Sequence, residues 1–146
     1  MRRDFTLNEE DVECLDNTGL TWDAVLFNSA KWIILRKYPI PPGYNVAESD
    51  AALRLPPLYP DDQIDMVYFH PPLALSSGRN MNALTMHLLE AKQYQQWSRH
   101  RTATNPWRPG LDNICTHLLQ VDSWLQRELP RLLHETIQTE ADAKPA

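Results

Sequence analysis

The sequence predicts an α+β fold: an N-terminal helix, an antiparallel β-meander, and C-terminal helices packed on one sheet. Three observations carry this expectation. Short segments rich in β-branched and aromatic residues fill the first part of the chain. Proline pairs at Pro41-Pro42, Pro56-Pro57 and Pro71-Pro72 punctuate them; proline cannot donate a ladder hydrogen bond, so these pairs mark strand ends. The C-terminal part instead repeats apolar residues at helical spacing.

The first helix is read in LNEEDVECLDNTG. Asn8 is its cap, Glu9, Glu10 and Asp11 suit its positive N-terminal end, and Gly19 stops it. TWDAVLFN and KWIILRKYPI follow as strands, the second ending at PIPPGYN. In DAALRLPP, Leu53 and Leu55 share a face with Arg54 opposite. QIDMVYFHPP sets Ile64, Met66 and Tyr68 against Asp65, Val67 and Phe69. A helix is expected over residues 81–96, where Met81, Leu84, Leu88 and Ala91 form a stripe. The clearest helix lies in RPGLDNICTHLLQVDSWLQREL, with Leu111, Ile114, Cys115, Leu118, Val121, Trp124 and Leu125 on one face and Pro130 ending or kinking it. The tail, about residues 138–146, is polar.

Composition narrows the function. A chain of 146 residues is expected to form one domain, large enough to bury roughly two thirds of its unfolded surface. A net charge of -5 argues against a partner bound through its phosphate backbone, so no nucleic acid is expected. No signal-peptide pattern stands at the N-terminus, and the apolar runs fall short of the roughly 20 residues of a membrane span. Cys14 and Cys115 are too few for a disulfide framework. A soluble, reduced, cytoplasmic protein without membrane attachment is the expectation. Cofactors and metals are not expected either. There is no Gly-rich phosphate loop, and the His87/Glu90 and Cys115/His117 pairs lack a third ligand. His117 and His134 are read as solvated, and Trp22, Trp32 and Trp124 as core.

The order of the motifs adds a resemblance. Leu55, Pro56, Tyr59 and Pro60 match a Pro-rich segment, His70 and Pro71 a His-Pro corner, and Trp107, Pro109 and Leu111 a Trp-led opening of the long helix. In this order, over roughly residues 5–128, they resemble the ubiquitin-conjugating fold. WIILRKYPIPPGYN and DDQIDMVYF make the chain look like the bacterial branch, the prokaryotic family E of ubiquitin-conjugating-like proteins. The resemblance implies a carrier that takes a ubiquitin-like modifier protein from an activating enzyme and passes it to an amine of a target protein.

Two departures bear on the chemistry. Pro72 stands where the family has an asparagine that holds the oxyanion, and proline has no side-chain donor. No cysteine falls where the family's nucleophile would. Counting from His70 leads to Arg79 and Asn80; counting back from Trp107 leads to Ser98 and Arg99. Cys115 is read as a core residue and Cys14 as structural.

The strongest remaining cluster is QQWSRHRTATNPW. A serine hydroxyl needs a base to take its proton, and histidine is the usual one near neutral pH. Ser98 is therefore the candidate acyl acceptor and His100 its base. Arg99 and Arg101 are candidate oxyanion or modifier-tail contacts, and His70 the residue that orders the site. Ser76 and Ser77 compete as acceptors, although SSG also reads as a flexible turn. The chemistry would run through an oxyester. Alternatives are a non-catalytic adaptor that keeps the modifier-binding surface, and an unrelated α+β hydrolase, which lacks any recognised nucleophile motif.

Overall fold

The computed structural model describes residues 1–130. The polar tail and His134 lie outside the described residues. Helix α1 (Glu9–Asn17) precedes β1 (Trp22–Phe27), β2 (Ala30–Pro39), β3 (Glu48–Leu55), β4 (Val67–His70), β5 (Leu84–Leu89) and β6 (Lys92–Trp97), and α2 (Ile114–Glu128) follows. The six strands pair antiparallel throughout, in the order β1-β2-β3-β4-β6-β5. The N-terminal residues add to the outer edge, where Asp4 N–H donates to Ala24 O and Ala24 N–H to Arg2 O.

The segment over residues 81–96 corrects the expected helix: it is the β5–β6 hairpin. Glu90 turns the chain at φ 58°, a conformation more often given to glycine or asparagine, so no turn residue announces it. The strand form wins because it buries alternate residues on two different faces. Trp97 and Leu84 join the core beneath the helices, while Leu89 and Tyr94 join the opposite one.

Both helices cover one face of the sheet. Leu15 of α1 and Ile114, Leu118, Val121, Trp124 and Leu125 of α2 pack on Ile33, Leu35, Leu53, Val67 and Phe69. Asn8 caps α1 by accepting from Asp11 N–H at 2.8 Å. The start of α2 differs from the expectation. It opens at Ile114 because Asn113 and Thr116 form a reciprocal capping box, and Leu111 is left exposed in the loop before it. The helix ends at Glu128, with Leu129 as its C-cap and Pro130 next. His117 is not solvated: it is fully buried, its Nε2–H meeting Met66 O at 2.8 Å.

The other face carries a second core of Trp32, Ile34, Ala52, Tyr68, Leu89 and Tyr94. Strands β2 and β5 stand four positions apart, about 19 Å in a flat sheet. Yet the ring of His87 on β5 lies 5.4 Å from Trp32 on β2 and 5.3 Å from Tyr68. The sheet therefore curls until its edges approach, and an Arg2–Glu90 ion pair spans the gap at 2.6 Å. Trp22, Trp32 and Trp124 are all buried, as core residues.

A further correction concerns the thiols. Cys14 and Cys115 are joined in a disulfide that links α1 to α2, with a Cα–Cα distance of 6.2 Å. Both are half-buried, so Cys115 is not a core residue on the Leu118 face; it points from α2 toward α1.

Candidate functional site

Beyond the end of β6 the chain stays beside the irregular segment that leads into β4, since Met66 N–H donates to Arg99 O at 3.2 Å. This brings residues 98–100 against residues 65 and 66. His100 Nδ1 lies 2.8 Å from both carboxylate oxygens of Asp65. A ring nitrogen held by a carboxylate carries the proton, which leaves Nε2 as the proton acceptor. Ser98 lies in the same patch. Its Oγ accepts from the Gln96 side-chain amide at 3.4 Å, and that amide also reaches Met66 Sδ at 3.3 Å.

The two arginines turn the other way. Arg99 bonds Glu128 of α2 at 2.9 Å and Asn82 O at 3.0 Å, and its guanidinium lies 5.0 Å from the Trp97 ring centre. The Arg101 side chain is 5% exposed, 3.6 Å from Asp112 and 5.1 Å from the Trp107 ring centre. Both hold the segment onto the helix side. His70 lies at the opposite end of β4, four ladder positions from Ser98, where its Nδ1 meets Gln93 O at 3.0 Å. It orders the His-Pro corner and stands apart from Ser98 and His100. That corner is further fixed by Gln95. Its Oε1 accepts from Leu73 N–H at 2.9 Å and Trp97 Nε1–H at 2.8 Å, and its Nε2 donates to Leu73 O at 3.0 Å. The hydroxyls of Ser76 and Ser77 are engaged in the following turn, with Tyr44 O and Arg79 N–H.

A groove of about 540 Å³ opens beside Asp65 at the mouth of the curled sheet. Leu55, Pro56, Pro57, Met66 and Tyr68 give it apolar walls, and Lys31 and Arg54 stand on it. Arg54 is exposed, and among the described residues no carboxylate lies within 4.0 Å of it. Arg54 is the register partner of Trp32, and burial, then the Arg54 charge, holds His87 below the usual imidazole range. The sequence reading gave Asp65 and Arg54 only a place on a strand face and Gln96 no role at all. Asp65 offered only an acidic run, and its partner is 35 residues away. Among the described residues no group of three potential metal ligands occurs.

A curled antiparallel sheet with both helices on one face, a Pro-rich segment, a His-Pro corner and a Trp-led approach to the long helix define a ubiquitin-conjugating-like α+β protein. The family model described as prokaryotic E2 family E matches residues 7–128, and the chain belongs to that family. No curated protein and no solved structure matches it. Membership gives the chain a ubiquitin-conjugating-like role in general, with a modifier protein and an activating enzyme as the class of partner. No helix among the described residues is long and apolar enough to cross a membrane.

Proposed function

We propose that this chain carries the C-terminal carbonyl of a ubiquitin-like modifier as an oxyester on Ser98, and passes it to a target amine. The observation behind this reading is the Asp65–His100 pair beside Ser98, in a conjugating-family chain whose two cysteine sulfurs are bonded to each other. His100 Nε2 takes the hydroxyl proton as the Ser98 oxygen adds to the carbonyl, and returns a proton as the activating enzyme's group leaves. The same nitrogen then takes a proton from the attacking amine and returns it to the Ser98 oxygen as the ester bond breaks. Asp65 holds the ring in the required tautomer. Arg99 and Arg101 anchor the segment and lend it positive charge, and His70 shapes the neighbouring corner. The groove beside Asp65 suits an extended peptide, so the modifier's tail lies there with Lys31 and Arg54 toward its carbonyl end.

Incubation with the activating enzyme, its modifier and ATP is expected to give a covalent adduct. After quenching in denaturant, the adduct should survive a thiol reductant and be cleaved by mild hydroxide. Ser98→Ala should abolish it. An undiminished adduct in Ser98→Ala would move the acceptor to Ser76 or Ser77. One observation favours a second reading as a non-catalytic adaptor: the Ser98 hydroxyl is bonded to Gln96 rather than to His100. Modifier binding without any adduct would establish that reading instead.

A further inference from the structure

We infer that the Cys14–Cys115 bond is a reversible thiol–disulfide exchange site, served by a small-molecule thiol or a protein dithiol, and that opening it loosens the segment that carries His100. The inference goes beyond acyl transfer and does not depend on it. The bond joins α1 to the second residue of α2 across 101 residues of sequence, and both cysteines are half-buried rather than buried. The core is complete without it. Leu15 is fully buried, Val121 likewise, and each helix has its own N-cap. The bond therefore acts on how α1 and the start of α2 are held together, not on whether a core exists.

A continuous set of contacts runs from that junction to the candidate site. Next to Cys115, Ile114 N–H donates to Tyr59 Oη at 2.9 Å, and the same hydroxyl donates to Asp11 of α1 at 2.9 Å. The Tyr59 ring lies 6.4 Å from that of Trp107, whose Nε1–H donates to Pro60 O at 3.0 Å. Arg101 spans from Trp107 to Asp112, three residues before Cys115, and adjoins His100 in the chain. A junction free to shift at Cys115 shifts the residues on which Arg101 rests.

The exchange balances as two displacements. A thiolate attacks Cys14 Sγ; the sulfur–sulfur bond breaks and the electron pair leaves with Cys115, where the N-terminal end of α2 favours negative charge. A second thiolate attacks the co-substrate's sulfur in that mixed disulfide; its bond to Cys14 Sγ breaks, and the oxidised co-substrate leaves as Cys14 regains a thiolate that takes up a proton. The protein's disulfide is reduced, and two external thiols become one disulfide.

The full chain, equilibrated in glutathione buffers from oxidising to reducing, tests this by alkylation with mass counting and by amide hydrogen exchange. Two thiols should appear together while the far-UV circular dichroism is retained. Exchange over residues 98–113 should then quicken at least about tenfold, and reoxidation should reverse both changes. A Cys14→Ala/Cys115→Ala variant should exchange at the fast rate in every buffer. A bond that stays closed in the folded protein at the most reducing poise would overturn the inference. So would reduction that unfolds the chain, or thiols that appear with exchange over residues 98–113 unchanged.

Discussion

Asp65 and His100, 35 residues apart in the chain, meet with Nδ1 2.8 Å from both carboxylate oxygens. That contact fixes the orientation of a histidine in a basic loop, and under the proposed function it is what makes His100 an oriented base. An amide at position 65 keeps the size but presents an NH₂ where the carboxylate accepted, favouring the wrong tautomer. Asp65→Asn and His100→Ala are therefore both expected to slow adduct formation, by up to the roughly 100- to 10,000-fold that a general base contributes. Thermal stability should change little, because the pair is partly exposed. Single-turnover rates beside melting curves separate the two effects, and an Asp65→Asn protein of parental rate would remove Asp65 from the mechanism.

His117 supplies a pH dependence of stability. Burial pushes its pKa down to about 4, against a weaker opposing effect from its hydrogen bond to Met66 O. The unfolded chain thus binds a proton below about pH 6.5 that the folded chain refuses until about pH 4. The stabilisation is complete above pH 6.5 and is lost as the pH falls toward 4, on the order of 3 kcal/mol in all. Urea midpoints from pH 4 to 7 should fall toward the acid end, and His117→Gln should flatten that part of the slope. An unchanged slope in that variant would assign the acid sensitivity elsewhere.

Where sequence and fold agree, one local signal sufficed. Asn8 ahead of an acidic turn marked α1, and the proline pairs marked the ends of β3 and β4. The β5–β6 hairpin was hidden because its residues are strong helix formers, its apolar stripe fits a helix, and its turn at Glu90 uses no glycine. Only burial on two faces decides it, and that depends on β4 and α2. The disulfide was hidden for a similar reason: its partners lie on two helices that meet only after folding. In the candidate site, Ser98 and His100 were legible from residue type and spacing. Asp65 was not, since its partner enters from another part of the sheet.

Gln95 offers a test of how the His-Pro corner is held. Its side chain satisfies both the N–H and the carbonyl of Leu73, and the indole N–H of Trp97, in a buried setting. Gln95→Leu keeps the approximate volume but orphans those three groups. A loss of about 2–4 kcal/mol is expected, from the cost of leaving buried donors and acceptors unpaired. Denaturant unfolding measures it, and a loss below about 0.5 kcal/mol, as for an ordinary surface change, would mean that the corner finds other partners.

Neighbouring leucines on α2 separate core from surface. Leu118 is 6% exposed beneath the sheet, whereas Leu119 is 67% exposed. Leu118→Ala should cost about 2–5 kcal/mol through lost burial and the cavity it leaves. Leu119→Ala should stay within about 0.5 kcal/mol. Equal losses in the two variants would contradict the face that α2 presents to the sheet.

Arg54 gives the groove its own test, apart from the chemistry at Ser98. It stands exposed on β3 between buried Leu53 and Leu55, at a groove whose apolar walls do not depend on its charge. A modifier tail that ends at a carboxyl or acyl group meets positive charge there. Reversing that charge should weaken binding without disturbing the fold. Arg54→Glu is expected to raise the Kd for the free modifier about tenfold, with stability within about 0.5 kcal/mol of the parent. Binding to the parent should weaken as salt rises, because the contact is solvent-exposed, and the Arg54→Glu protein should lose most of that salt dependence. Titration by calorimetry at two ionic strengths reads both quantities. Parental affinity in Arg54→Glu and in Lys31→Glu alike would place the tail elsewhere and leave the oxyester proposal to stand or fall on Ser98.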